Sequence, residues 1–305
     1  MIVDQGSALA AVIATRGRPA DARRAVQSVL KSQYPGLTLL VIDQSSDDAT
    51  AHALADLKSD RRLTVAHIHA GGLGAARNAG MRLTTAPIVA FTDDDCEIEP
   101  GWADAIVKAF EIDARIGMVF GAVKAAPYDR TMGFIPAYVP RQAFTGQRVG
   151  DKPSIEGIGA CMAVRRSVWK RLGAFDEWFG AGADFRAGED TDFAMRALTF
   201  GYWVHETPEA SVVHHGFRSW QQGPALIEGY MLGVGGANAK FLRLAGWSAV
   251  RPVATLAWRW LAGRPVVDLN HQPGRALRLR AFVRGLWRGF RLPLDRLTGL
   301  YLPRS

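Results

Sequence analysis

The sequence predicts an α/β fold, in which a mostly parallel central sheet is flanked by helices and followed by a C-terminal helical extension. Over about the first 200 residues, short apolar runs alternate with stretches of helical periodicity, which is typical of strands joined by crossover helices. The composition, 48% apolar and 22% charged, suits a packed globular chain of 305 residues. Beyond Trp220 the pattern becomes helical and basic.

Periodicity and turn residues bound the individual elements. The first predicted helix carries its apolar residues on one face, and Pro35-Gly36 breaks it. Gly201 ends the last predicted helix of the sheet region. Strands are predicted at residues 8–15, 37–43, 63–69, 87–92, 118–125, 158–164 and 203–214. Helices are predicted at residues 19–33, 47–57, 74–83, 102–112, 166–172 and 189–200, and a surface loop region at 127–157.

The positive charge is concentrated near the C-terminal end. The net charge is +8, and residues 251–305 hold eleven Arg and two Asp, a net +9, so residues 1–250 sum to −1. Because the body is not basic, a nucleic-acid-binding protein is disfavoured. We expect two units, a domain at 1–218 and a basic helical extension at 219–305.

The segment 275–292 is predicted to form an amphipathic helix. Such a helix suits the surface of an anionic membrane. A helix packed on the body with a solvated arginine face, or a contact between copies, also explains the pattern. Helical spacing puts Leu279, Phe282, Val283, Leu286 and Phe290 on one side, and Arg280, Arg284, Arg288 and Arg291 on the other.

The two cysteines, Cys96 and Cys161, show neither a disulfide framework nor metal-type spacing, which favours a reducing cytosol. No basic n-region precedes an apolar segment at the start, so no signal peptide is expected. The longest stretches without Asp, Glu, Lys or Arg have eleven residues, too short to span a bilayer as helices. We expect a cytoplasmic protein, peripheral on the inner face of the cell membrane if its basic helix binds there.

Three consecutive carboxylates, Asp93, Asp94 and Asp95, follow the apolar run 87–92. Charge at the end of a buried strand is costly unless something cationic is bound there. Because side chains alternate along a strand, Asp93 and Asp95 are expected on one side and Asp94 on the other. Two carboxylates at the carboxyl end of a strand predict a site for a hard divalent cation. A solvated acidic turn that caps the next helix is the alternative.

Further polar and glycine-rich segments accompany the triplet in a fixed order. A Gly-Gly-Leu-Gly turn leading into Ala-Arg-Asn precedes it, and a Gly-Glu-Asp and a trailing His follow it. The set comprises Gly71-Gly72-Leu73-Gly74-Ala75-Ala76-Arg77-Asn78, Asp93-Asp94-Asp95, Gly188-Glu189-Asp190 and Val213-His214-His215. Over residues 8–216 this order resembles the family-2 glycosyltransferases, which have the type-A glycosyltransferase fold.

The resemblance implies inverting, metal-dependent transfer of a single sugar from a nucleotide-diphosphate sugar to a hydroxyl acceptor. A glycan or a lipid-linked acceptor, in surface polysaccharide or glycoconjugate synthesis, is implied with it, and the cofactor is Mn²⁺ or Mg²⁺. Processive relatives carry Gln-x-x-Arg-Trp, whereas here Leu256 stands four residues before Trp260. Single addition is therefore favoured over polymerisation.

The resemblance also assigns roles. Asp95 is the principal metal ligand, Asp93 contacts the ribose or the metal's water shell, and His214 completes the coordination. Asp190 is the general base and Glu189 supports it or the acceptor. The nucleotide site is expected to comprise Thr15, Asp43, Arg77, Asp93 and Asp94.

Each assignment has a structural alternative. Glu189 and Asp190 also suit the start of a helix, and Asp43 also suits an Asx turn. Arg77 is also explained as a surface arginine or as one that pairs with an aspartate. His214 is also explained as a core histidine, and His215 stays open as the ligand in its place.

Other functions fit the sequence less well. A sugar-phosphate nucleotidyltransferase shares the sheet architecture, but it usually opens with a longer glycine-rich loop and a Lys. A non-catalytic basic protein that binds membranes or nucleic acid leaves the acidic cluster unexplained. A hydride-transferring dinucleotide enzyme is disfavoured because no Gly-x-Gly-x-x-Gly follows the first strand.

Overall fold

The computed structural model describes residues 8–69, 71–261 and 274–303. Two sheets and the helices around them make up this part of the chain. The strands are β1 (Leu9–Thr15), β2 (Leu37–Asp43), β3 (Leu63–His67), β4 (Ile88–Asp93), β5 (Cys96–Ile98), β6 (Ile116–Ala125), β7 (Gly133–Phe134), β8 (Phe144–Gly146), β9 (Cys161–Arg165), β10 (Trp203–His214) and β11 (Arg218–Ser219). The helices are α1 (Pro19–Leu30), α2 (Ala49–Ala53), α3 (Leu73–Leu83), α4 (Trp102–Glu111), α5 (Arg166–Arg171), α6 (Glu189–Thr199), α7 (Gly223–Ala245), α8 (Trp247–Leu261) and α9 (Arg275–Arg291).

The main sheet has nine strands in the order β3-β2-β1-β4-β9-β6-β10-β5, with β8 beside β10. Strands β3, β2, β1 and β4 pair in parallel, as do β6 and β10. The α/β class is confirmed, but the sheet is mixed. Strand β9 runs antiparallel between β4 and β6, and β5 and β8 run antiparallel to β10.

Strand β1 shows why these residues form a central strand. It is apolar up to Ala14 because helices cover both faces of the sheet. Leu9, Ala11 and Ile13 belong to the core beside α1 and α4. Ala10 and Val12 belong to the core beside α3 and α6. The sheet is therefore a rigid platform for the residues that follow its strands.

One edge of the sheet gathers polar residues. The carboxyl ends of β1, β2, β4, β6 and β10 lie at the same edge, because these strands run in one direction. Thr15, Asp43, Asp93 and His214 are the last residues of four of them. This edge is where open α/β sheets bind ligands.

Two predicted regions differ from the structure. The helix predicted at 47–57 is a single turn, α2, followed by a 3₁₀ segment at Ala55–Ser59. The predicted loop region 127–157 contains β7, β8 and a 3₁₀ turn at Val149–Ser154. Strand β8 forms there because β10 offers it a free edge, which local sequence does not encode.

Helices α7 and α9 pack with their backbones almost touching. A Cβ added at Gly285 would lie 2.1 Å from the carbonyl oxygen of Leu232, and one at Gly235 would lie 2.2 Å from that of Phe282. Only glycine permits this approach, so the glycine face of α9 is the face that docks. The expected division at residue 218 stays a prediction.

The residues on the predicted apolar side of α9 therefore differ in their burial. Of its five members, Phe282 is buried, whereas Leu279, Val283 and Phe290 are 46–50% exposed, and Trp287 beside them is 56% exposed. Within the described residues, every helix is too short or too polar to cross a membrane.

Candidate active site

The acidic triplet spans the end of β4 and the turn that leads into β5. Asp94 accepts a hydrogen bond from the Thr15 hydroxyl at 2.7 Å. The Arg18 guanidinium lies 2.6 Å from Asp94 Oδ1 and 2.9 Å from Asp95 Oδ2. Asp94 and Asp95 therefore share one cation, and the strand-like alternation expected of the triplet is not observed, because the chain turns after Asp93.

The pKa values of these two acids shift in opposite directions. Burial raises the pKa of Asp94 to about 7, even though Arg18 and Thr15 favour the charged form. For Asp95 burial also acts upward, but the hydrogen bond and charge of His214, with Arg18, outweigh it and hold the pKa of Asp95 well below its usual range. Asp95 is thus the firmly charged member of the pair.

His214 stands directly beside Asp95. Its Nε2 lies 3.3 Å from Asp95 Oδ1, and its Nδ1 lies 2.7 Å from the carbonyl oxygen of Pro136. When Nδ1 donates a proton to that carbonyl, Nε2 is the nitrogen left to bind a metal. The His215 side chain instead lies 2.8 Å from Glu97, so the structure places the imidazole of His214, not that of His215, next to the carboxylates of the triplet.

The donor atoms at this point fit a divalent metal. Ligand atoms of Asp95, Cys96 and His214 lie within 4.8 Å of one another. Burial raises the pKa of the Cys96 thiol well above its ordinary value, which makes it a poor ligand. A carboxylate with an imidazole remains, a set that suits manganese or magnesium and favours manganese.

Arg77 connects the triplet to the start of α6. It is 2% exposed, forms an ion pair with Glu189, and lies 3.5 Å from Asp93. It also donates a hydrogen bond of 3.1 Å to the carbonyl oxygen of Gly159. Burial raises the pKa of Glu189 to about 7 although Arg77 opposes this. Glu189 is therefore a buried residue that is ion-paired with Arg77.

Asp190 is held differently from its neighbour. One carboxylate oxygen accepts the amide proton of Gly159 at 2.7 Å, and the other accepts that of Thr191 at 2.5 Å. Its side chain is partly exposed, whereas Glu189 is buried. Two backbone amides thus fix the orientation of a carboxylate that a substrate can still reach.

Asp43 and Thr15 lie at the ends of β2 and β1. Asp43 is 4% exposed and accepts hydrogen bonds from the amide and hydroxyl of Ser45. Asp43 therefore forms the Asx-type turn that was the structural alternative to ligand binding. A ligand contact at its other carboxylate oxygen stays a prediction. Thr15 donates its hydroxyl proton to Asp94, which makes it a support for the triplet.

Comparison with known proteins identifies the family. The model of Glycosyl transferase family 2 matches residues 10–173, which is more than half of the chain. The chain belongs to this family.

Two known relatives are similar to this chain over about two thirds of its length. The family-2 chain is 25% identical over 223 residues to the O-antigen biosynthesis protein RfbC of Myxococcus xanthus, covering 67% of this chain and 17% of that protein. It is 27% identical over 220 residues to the pre-mycofactocin glycosyltransferase of Mycobacterium tuberculosis, covering 67% and 42%. The chain therefore spans less than half the length of these relatives.

Two solved structures have the same fold. The mannosyltransferase PcManGT from Pyrobaculum calidifontis, in complex with GDP-Man and Mn²⁺, has a TM-score of 0.62 and 18% identity over 92% of this chain and 87% of its own. Residues 1–349 of TarS from S. aureus have a TM-score of 0.65 and 14% identity over 91% and 80%. The expected type-A glycosyltransferase fold is confirmed.

Three residues near the site of the family-2 chain were not assigned from sequence. Arg18 bridges Asp94 and Asp95, and Arg218 lies 3.6 Å from Asp95. On α7, the half-buried Tyr230 has its pKa raised to about 12, chiefly by burial, with the Arg218 charge opposing and Asp190 adding to the shift. The two arginines follow Thr15 and His214 closely in sequence, which was a usable signal. No sequence pattern marks Tyr230.

Proposed function

We propose that this chain is an inverting, metal-dependent glycosyltransferase that moves one sugar from a nucleotide-diphosphate sugar to a hydroxyl acceptor. One observation carries the proposal. Asp190 binds the amide of Gly159, whose carbonyl binds Arg77, which lies beside Asp93. A fixed, reachable carboxylate and a cation-binding triplet therefore belong to one connected site.

The two halves of this site have complementary roles. Asp95 and His214 would hold Mn²⁺ or Mg²⁺, with Asp93 near the ribose or the ion's water shell. When bound, the ion stabilises the negative charge on the departing diphosphate. Arg18 and Arg218, which lie next to Asp95, add positive charge in the same place.

Asp190 is the proposed general base. A hydroxyl acceptor must lose a proton as it attacks, and a carboxylate within hydrogen-bond reach can take it. Its two amide contacts keep the carboxylate in one orientation, which proton transfer requires. Glu189, which pairs with Arg77, supports this base from the adjacent position in the chain. A single displacement that needs one base inverts the configuration at the anomeric carbon of the sugar.

The decisive experiment measures the release of nucleoside diphosphate from a panel of nucleotide sugars with manganese. The full chain is expected to turn over at least one donor, and Asp190→Asn to lose about 99% or more of that rate, since general bases contribute roughly 100-fold to 10,000-fold. Asp104→Asn, an exposed acid on α4, is the matched control and should keep full activity. No turnover of any donor, or full activity of Asp190→Asn, would contradict the proposal.

We also propose that helix α9 contacts an anionic membrane that carries the acceptor. On α9, Leu279, Val283, Trp287 and Phe290 are exposed and recur at spacings of four, four and three, so they form one stripe. Arg280, Arg284 and Arg291 follow them one residue later, in a neighbouring row. An exposed apolar stripe beside a basic row is the arrangement that binds anionic bilayers. Contact with such a surface would bring the site to a lipid-linked or surface glycan acceptor.

Flotation with vesicles tests this contact on the full chain. Wild type should float with vesicles containing anionic phosphatidylglycerol more than with pure phosphatidylcholine. The triple variant Val283→Ser, Trp287→Ser, Phe290→Ser should lose this binding. Ile112→Ser, which removes an exposed apolar residue from the end of α4, should keep it. Equal flotation of the triple variant and wild type would reject the membrane contact.

A further inference from the structure

A buried cluster of four charged side chains joins α7 to α6. Lys240 on α7 forms ion pairs with Asp176 and with Asp192, the latter at 2.7 Å. Arg196 donates a hydrogen bond of 2.9 Å to the other oxygen of Asp192. All four side chains are at most 2% exposed. Two anions and two cations balance, so the cluster is neutral and its members depend on one another.

The cluster holds the first turn of α6 in place through Asp192, and this turn also carries the proposed base Asp190. Asp192 follows Asp190 by two residues, and each of its oxygens is bound by a different cation. The Arg196 guanidinium also donates to the carbonyl oxygens of Leu172 at 2.7 Å and Ala174 at 2.8 Å. The first turn is thus fixed to the neighbouring loop as well as to α7.

A second contact fixes the chain just before α6. A Cβ at Gly233 of α7 would lie 2.3 Å from the carbonyl oxygen of Ala187, and one at Gly188 would lie 3.4 Å from Gly233. Gly188 precedes Glu189 and adopts φ of 90°, in the left-handed region. Helix α7 therefore packs closely against the backbone of residues 187 and 188, directly before α6 begins.

Tyr301, near the end of the described chain, also contacts the cluster. The Tyr301 amide donates to Asp176 at 2.8 Å, and the Lys240 amine lies 4.4 Å from the centre of the Tyr301 ring. The Tyr301 hydroxyl donates to the carbonyl oxygen of Gly236 on α7. Tyr301, well beyond the residues 10–173 that match the family model, thereby contacts both Asp176 and Lys240 of the cluster.

We infer that Lys240 is a positioning residue that sets the place of the proposed base through Asp192. The inference rests on the proposed function of Asp190. A base works only within hydrogen-bond reach of the proton it takes, and a displacement of about 1 Å can cost roughly 100-fold in rate. Lys240 acts on the turnover step and leaves donor binding at the triplet unchanged.

The test uses a charge-balanced variant, because Lys240→Met alone would leave Asp176 without its cation. Lys240→Met with Asp176→Asn removes one charge of each sign and keeps an acceptor for the Tyr301 amide. The control is Glu228→Gln on the same helix, whose carboxylate pairs with Arg284 at 2.8 Å and so ties α7 to α9 away from the cluster. Both variants are assayed well below their Tm for kcat and donor KM, and the amide exchange of α6 is followed by mass spectrometry.

The double variant should lose about tenfold or more in kcat, keep the donor KM within about twofold, and exchange faster at the start of α6. Glu228→Gln should keep kcat within about twofold, even if its Tm is lower. A kcat near wild type in the double variant, or an equal loss in Glu228→Gln, would overturn the inference. Asp190→Asn separates the two claims. If it stays active, the base assignment and the positioning role both fall; if it is inactive while the double variant is active, only the positioning role falls.

Discussion

Replacing Arg77 by Met tests whether this arginine holds the two halves of the site together. Arg77 is 2% exposed and is the cation that pairs with Glu189 and lies beside Asp93. The Glu189 side chain is 8% exposed, so without Arg77 it must either stay charged while buried and unpaired or take up a proton, and both outcomes weaken the folded state. Asp93 is 31% exposed, so water compensates part of its loss.

The expected cost follows from this burial. Removing one partner of a buried ion pair costs about 3–5 kcal/mol, and nearly all of it should come from Glu189. Arg24, whose ion pairs with Asp21 and Glu97 are half-exposed, offers a control, because Arg24→Met should cost about 0–1 kcal/mol.

Urea unfolding of four proteins measures the pair directly: wild type, Arg77→Met, Glu189→Gln and the double variant. Since Gln carries no charge, the double variant should be more stable than Arg77→Met, with a coupling energy of about 1–3 kcal/mol. Additive effects, or a cost of Arg77→Met no larger than that of Arg24→Met, would refute this account of the link between β4 and α6.

Three further predictions concern the helical extension, a buried acid and the metal ligand. Gly285→Ala should lower the free energy of unfolding by about 1–3 kcal/mol, because its Cβ meets the backbone of α7, whereas Gly150→Ala meets no atom within 4 Å and should have no such effect; equal stability of the two in urea would contradict the tight packing of α7 on α9. Burial raises the pKa of Glu206 above 4.5, so the stability due to its protonated form is full below that pH and is lost as pH rises through the folded pKa. Glu206→Gln should therefore flatten the fall of Tm above about pH 4.5, and a profile parallel to wild type would show the carboxyl to be unperturbed. His214→Ala should weaken manganese binding in the presence of a nucleoside diphosphate by at least about tenfold, measured by calorimetry, and unchanged affinity would remove His214 from the metal site.

Much of the sheet could be predicted because burial leaves a local record. Strands β2 and β10 begin and end where the apolar patterns do, and α6 begins at Glu189 as predicted. The antiparallel direction of β9 could not be predicted, because direction depends on which strands flank it. An apolar run has the same composition whichever way it is paired.

Chain order predicted which residues belong to the candidate site, but not their contacts, and the role of each residue stays a prediction. Chain order located the triplet, Asp190 and His214, and the structure places Asp95 beside His214. Which cations neutralise the acids was not predictable, because Arg18 and Arg218 come from separate segments. The face by which α9 docks on α7 could not be predicted for a related reason. Helical periodicity sorts residues by polarity, whereas the approach of two helices is decided by small residues such as Gly285 and Gly289.

The central claim is that the acids at the carboxyl edge of the sheet hold a divalent cation against a diphosphate. Electron paramagnetic resonance of manganese, titrated with the full chain and a nucleoside diphosphate, tests it most directly. Wild type should bind about one ion per chain in a nucleotide-dependent manner, and Asp95→Ala should bind none at the same concentrations. Manganese binding that is equal in Asp95→Ala, or absent from wild type with uridine and guanosine diphosphates alike, would contradict the claim.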